Sequence, residues 1–189
     1  MIKGTKTEQN LLKAFAGESQ ARNRYTMYAS RAKKDGFEQI AAIFAETATN
    51  EYEHANLFYK KLEGGAVQIT ADYSAGDIGT TLENLAFAAD GEHDEANNLY
   101  PEFAKVAREE GFEDIARLFE MISTIEAHHE ERYRILYENV KNDRVFKRDE
   151  EVEWVCRECG YVHKGNEAPL ECPVCSHAQS FYQLNVANY

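Results

Sequence analysis

The stretch AKKDGFEQIAAIFAETATNEYEH (32–54) returns as AREEGFEDIARLFEMISTIEAHH (107–129), aligned without gaps at an offset of 75 residues. Gly36 matches Gly111, Phe37 matches Phe112, Ile40 matches Ile115 and Phe44 matches Phe119. In both copies apolar residues recur at the spacing of a buried helical stripe, and the glycine stands where a helix C-terminal cap is expected. Each copy therefore reads as helix, turn, helix. One hairpin used twice predicts a four-helix bundle, with residues 66–79 (AVQITADYSAGDIG), which carry no helical pattern, crossing between the hairpins.

Extending the pattern outward gives helices over Thr5–Lys34, Phe37 to about Glu63, Thr80–Glu110 with Pro101 as an internal kink, and Phe112 to about Asn142. Upstream of the turn the offset falls to 74, because GES (17–19) matches GEH (91–93). The second half thus holds one additional residue between Glu92 and Gly111, expected beside Pro101 as a one-residue bulge. Residues 142–153 (NDRVFKRDEEVE) are charged and aperiodic and read as a connection. The domain expectation is a bundle over 1–145, a linker at 146–151 and a small β-rich metal-knuckle module over 152–189, too poor in apolar mass to fold without a staple. The fold class is mainly α.

A formal net charge of -12 argues against a nucleic-acid partner, since that affinity rests on Lys and Arg releasing counterions. No run of about 18 apolar residues offers a membrane span, and the N-terminal MIKGTKTEQN has no apolar signal core. A cytoplasmic location is expected. All four cysteines fall between 156 and 175 as two Cys-x-x-Cys pairs, a pattern of metal binding rather than of disulfides.

Glu51/His54 and Glu126/His129 are Glu-x-x-His pairs at matching places in the repeat, each pair on one helix face. The repeat also pairs Glu18 with Glu92. One Glu from each of two helices plus Glu-x-x-His from each of the other two is the ligand pattern of di-iron and di-manganese carboxylate bundles. Glu95, three residues after Glu92, has no counterpart in the first half, where Ala21 stands. Buried without partners these five carboxylates would protonate or unfold the bundle, and an oxygen-rich set with two imidazoles suits iron. Tyr25 and Tyr100 are placed to hydrogen-bond the ligand carboxylates from behind. His93 and His128 fall off the ligand face and are expected on the surface. In the tail, Cys156, Cys159, Cys172 and Cys175 form a tetrahedral cage for either iron or zinc, and an electron-carrying centre beside a redox pair favours iron. His163 and His177 are expected to face solvent.

With these motifs in place the whole chain resembles a rubrerythrin, a ferritin-like di-iron bundle followed by a rubredoxin-like domain. The resemblance rests on AGESQARNRY (16–25), NEYEHA (50–55), LEGG (62–65), DGEHDE (90–95), YPEFA (100–104), IEAHHEERY (125–133), CRECGY (156–161) and CPVC (172–175). It implies that Glu51 and Glu126 bridge the irons and that Glu18, Glu92 and His129 are terminal ligands. It also implies that His54 and Glu95 exchange on one iron, His54 in the diferrous and Glu95 in the diferric form. The implied activity is a peroxidase: hydrogen peroxide is reduced to water in oxidative stress defence. Electrons come through the tail iron from a rubredoxin or an NAD(P)H-dependent reductase, in a head-to-tail homodimer or higher oligomer. The rivals are a ferroxidase or iron-storage protein, which needs no attached electron donor, a zinc-stapled scaffold, and an oxygenase, for which no substrate cavity is legible.

Overall fold

The structure is a computed structural model that describes residues 1–187, so the last two residues of the expected second domain lie outside the described residues. Its helices are α1 (Lys6–Lys34), α2 (Glu38–Tyr59), α3 (Thr81–Asp94), α4 (Tyr100–Glu109) and α5 (Glu113–Lys141), and a π-helical segment, Glu95–Leu99, joins α3 to α4. Helices α1 and α2 form one antiparallel hairpin, and the broken α3–α4 rod forms the other with α5. The two turns are copies. Gly36 (φ 87°) and Gly111 (φ 85°) take the left-handed conformation that a side chain disfavours, and the next residue's N–H bonds back to Ala32 and Ala107 at 2.9 and 2.8 Å. Thr5 caps α1 by accepting from the Glu8 N–H, and Thr80 with Glu83 forms a capping box on α3. Residues 63–80 carry no helix or strand and run between the hairpins as expected.

The expected bulge is present but not as a simple kink. The Tyr100 N–H bonds to the Glu95 carbonyl, five residues back, which accommodates one extra residue in the turn before Pro101. Its effect shows in the core. Seven residues before and after each inward glutamate stands a buried apolar or aromatic side chain: Leu11, Glu18, Tyr25 on α1; Phe44, Glu51, Phe58 on α2; Phe119, Glu126, Tyr133 on α5. On the third rod the series is Leu85, Glu92, Tyr100, with eight residues in the second step. The inserted residue is absorbed by the wider π turn, so Tyr100 still faces inward. The glutamates thus occupy one layer between two apolar clusters, one around Tyr28, Phe44, Leu85 and Tyr133, the other around Leu11, Phe58, Phe103 and Phe119.

The tail is a three-stranded antiparallel sheet in the order β2-β1-β3, from β1 (Lys147–Cys156), β2 (Val162–Glu167) and β3 (Tyr182–Leu184). Residues 147–151, expected within a linker, are instead the first half of β1. They alternate no apolar side chains: Lys147, Asp149, Glu150 and Glu151 are exposed, and only Arg148 is half-buried, over the Trp154 ring. The strand's pairing with β2 is irregular between Lys147 and Val152. Trp154, Cys156, Ala168, Cys172 and Tyr182 form the tail's own small core. Phe146 stacks on Phe37 at 6.1 Å and 9°, which sets the tail against the α1–α2 turn of its own chain.

Candidate metal centres

Four buried carboxylates and two imidazoles meet in the glutamate layer. Glu18, Glu51, His54 and Glu126 form one group of convergent ligand atoms, and Glu51, Glu92, Glu126 and His129 form a second. His54 Nδ1 lies 2.9 Å from Glu51 Oε2 and 2.9 Å from Glu126 Oε1. His129 Nδ1 lies 2.8 Å from Glu126 Oε2, 3.3 Å from Glu51 Oε1 and 3.6 Å from Glu92 Oε2. The two imidazoles face one another with centroids 6.0 Å apart. Glu51 and Glu126 belong to both groups, so two half-sites share two carboxylates. The repeat supplies one half-site from each Glu-x-x-His helix.

Glu95 does not join either group. It is half-buried, and a side chain at Gly17 would stand 3.8 Å from its Oε1. With Gly17, Arg24, Gly91 and Tyr73 it lines a cleft of about 180 Å³ under the crossing segment. The two tyrosines behave as expected, with an added feature: they bond crosswise. Tyr25 of α1 donates to Glu92 of α3, and Tyr100 at the start of α4 donates to Glu18 of α1. Sequence spacing shows each tyrosine near the glutamate on its own rod, and only the bundle geometry shows that it serves the other one. His93 and His128 are exposed, and His93 pairs with Glu130 at 3.0 Å.

The layer's electrostatics mark it as a cation site. Burial pushes Glu51 up, but hydrogen bonds with His129 and His54 outweigh it and bring it down to about 2. Burial pushes both histidines down, yet the facing carboxylates raise His54 to about 10 and His129 to about 12. Burial, then the Glu51 charge, raises Glu92 to about 8. Glu18 and Glu95 are pushed well above the usual carboxylate range by burial and then by neighbouring carboxylates. Even so, Glu18 Oε2 and Glu92 Oε2 have no hydrogen-bond partner, and two imidazoles are shared among four buried carboxylates. Buried acceptors facing acceptors cannot satisfy one another. Two multivalent cations satisfy them all, and the hard oxygen set with two imidazoles fits iron.

The cysteine cage fits a single ion. Cys156 Sγ lies 3.8 Å from Cys175 Sγ and Cys159 Sγ lies 3.6 Å from Cys172 Sγ. A tetrahedron with metal–sulfur bonds of about 2.3 Å requires sulfurs about 3.8 Å apart. The two knuckles are built alike: Gly160 N–H and Ser176 N–H each return to the carbonyl of the first cysteine at 2.9 Å, with φ of 78° and 58°. Burial raises the Cys172 thiol, but the Tyr182 hydroxyl and the backbone amides of Cys175 and Val174 bring it down to about 6. These amide donors were not legible as individual residues, although the two Cys-x-x-Cys turns that aim them were. His163 and His177 are half-buried rather than facing solvent, and His177 packs edge-on against Phe181 at 4.5 Å.

A family model described as rubrerythrin matches residues 9–137, and one described as the rubredoxin-like domain of rubrerythrin matches residues 154–183. The chain is 54% identical over 188 residues to the rubrerythrin of Porphyromonas gingivalis, covering 100% of this chain and 94% of that protein. A solved structure of fully reduced, all-ferrous nigerythrin is similar with a TM-score of 0.65 and 32% identity, covering 98% of this chain and 92% of that one. The di-iron bacterioferritin of Desulfovibrio desulfuricans is similar in the bundle alone, with a TM-score of 0.65, 26% identity and coverage of 74% and 82%. The cofactors that go with this architecture are a carboxylate- and histidine-bound iron pair and one iron in the cysteine cage. Identity of this order across both the bundle and the cage leads to one conclusion: the chain belongs to the rubrerythrin family.

Proposed function

We propose that the chain is a peroxidase that takes hydrogen peroxide, two electrons and two protons to two waters, in oxidative stress defence. The observation that carries this reading is one chain holding both a shared-carboxylate pair of half-sites and a tetrathiolate cage. When bound, the iron pair supplies the two electrons that cleave the O–O bond, and the cage iron returns them singly.

The protein's part is to place donors and protons. Glu51 and Glu126 would be held in common by the two ions, since only they belong to both ligand groups, while Glu18 and His54 would hold one ion and Glu92 and His129 the other. Tyr25 and Tyr100 hold Glu92 and Glu18 in place across the bundle. Glu95 would exchange with His54, a role supported by its place beside Gly17, the neighbour of Glu18, in a cleft also lined by Tyr100, the donor to Glu18. Its raised affinity for protons suits it to carry one to a departing oxygen. The aromatic layers above and below exclude water from the remaining ligands.

The chain divides into a bundle, 1–145, and a cage module that begins with β1 at Lys147 rather than at 152, and the module's separate core supports the division. The tail packs at Phe37, and from Phe37 to Glu51 the α2 axis rises about 20 Å. That separation favours transfer from the cage of one chain to the bundle of another in a homodimer or larger assembly. A rubredoxin or an NAD(P)H-dependent reductase then feeds the cage. Among the described residues no helix is long and apolar enough to cross a membrane; the site of action is proposed to be the cytoplasm. The likeness to bacterioferritin favours ferroxidase activity as the second reading. Stopped-flow mixing of anaerobically reduced protein separates them: reoxidation by stoichiometric peroxide far faster than by dioxygen supports the peroxidase, and equal or reversed rates support the ferroxidase.

A further inference from the structure

Pro101 leaves a backbone group without its helical partner. In the π segment the next acceptor after the Glu95 carbonyl is that of Ala96, and the residue five ahead of Ala96 is Pro101, which has no N–H. Ala96 is 7% exposed, and an orphaned buried carbonyl is rare because it is costly. The Ser123 hydroxyl of α5 donates to this carbonyl at 2.7 Å. The repeat shows that the hydroxyl belongs to the bulge. The equivalent of Ser123, 75 residues earlier, is Ala48, on the helix paired with α1, which has neither an inserted residue nor a proline. Bulge and hydroxyl occur together in one half of the molecule and are absent together from the other.

The contact joins two ligand-bearing elements. Ser123 stands one turn before Glu126 on α5, while Ala96 follows Glu95 and lies four residues beyond Glu92. We propose that Ser123 is a positioning residue: its hydroxyl ties the π segment to α5 and thereby fixes where Glu92 and Glu95 stand relative to Glu126 and His129. The part of this that concerns iron rests on the ligand roles proposed above.

Amide hydrogen exchange at Tyr100, whose N–H closes the π turn, tests the tie in the metal-free full chain. Ser123→Ala is expected to speed that exchange about fivefold, the effect of losing one buried hydrogen bond. Pro101→Ala restores an N–H for the Ala96 carbonyl, so in that background Ser123→Ala changes the exchange less than twofold. Ser123→Thr keeps the hydroxyl and the wild-type rate. Equal acceleration in both backgrounds, or none in either, overturns the tie. Loaded with ferrous iron, Ser123→Ala is expected to keep both bundle irons and to change the Mössbauer signature of at least one. An unchanged signature reduces Ser123 to a structural hydrogen bond and overturns its positioning role. A wild-type bundle that binds no iron pair defeats the ligand roles instead, and the exchange result stands by itself.

Discussion

The crosswise tyrosines make a prediction that a same-side arrangement does not. Tyr100→Phe removes the donor to Glu18, and Tyr25→Phe removes the donor to Glu92, each without a change of shape. Tyr100 and Glu18 are both 0% exposed, so no water replaces the lost hydroxyl. A hydrogen bond to a buried charged carboxylate contributes about 1.5–3 kcal/mol, which is roughly a ten- to hundredfold loss of affinity for the metal that carboxylate holds. Anaerobic ferrous titration followed by Mössbauer spectroscopy, which separates the two irons, reads this directly. Tyr100→Phe should weaken the iron bound with Glu18 and His54, and Tyr25→Phe the iron bound with Glu92 and His129. Weakening of the opposite iron in each variant, or equal weakening of both, refutes the cross-bundle reasoning.

Other predictions concern protons, packing and the knuckles. At pH 7 the metal-free layer holds protons on His54 (about 10), His129 (about 12) and Glu92 (about 8), each of which must leave before the group can ligate. Iron binding should therefore release at least three protons and strengthen as pH rises, seen by calorimetry in buffers of differing ionisation enthalpy; pH-independent affinity contradicts the layer's protonation. Phe119→Ala, at a fully buried ring packed 4.9 Å from Phe58 and 5.5 Å from Phe103, should cost about 3–5 kcal/mol in denaturant unfolding of the metal-free bundle. In the second knuckle Ser176 takes the left-handed conformation that Gly160 takes in the first. Ser176→Gly should be neutral or stabilising and Ser176→Val should lose about 1–2 kcal/mol, read as the rate of iron loss from the cage to a chelator.

The sequence made the bundle legible because it states the same hairpin twice, and a repeat is a stronger signal than either copy's helical periodicity. It also revealed the extra residue, since an offset that changes from 75 to 74 counts one residue that a regular helix cannot seat, although its form as a π turn at Glu95–Leu99 came only from the structure. The residues proposed as ligands were readable for the same reason: Glu51 and Glu126, His54 and His129, Glu18 and Glu92 are repeat partners. Glu95 showed itself by breaking that symmetry, and Ser123, opposite Ala48, breaks it too but is a hydroxyl among many until its acceptor is seen. What could not be read were relations between helices. Which glutamate each tyrosine reaches depends on how rods pack, and spacing along one rod is silent on that. The first half of β1 was missed because an exposed strand held by backbone pairing needs no apolar alternation, and residues 147–151 have none.

Every proposed role depends on a pair of irons in the glutamate layer and a third in the cage, so metal loading is the most direct test. Anaerobic reconstitution of the full chain with ferrous iron, followed by oxidation, metal analysis and variable-field Mössbauer spectroscopy, should give three irons per chain, two of them magnetically coupled through shared carboxylates. The Glu51→Ala/Glu126→Ala variant should keep only the cage iron. A wild-type chain with one iron, or with two bundle irons that show no coupling, contradicts the shared site on which every proposed role depends.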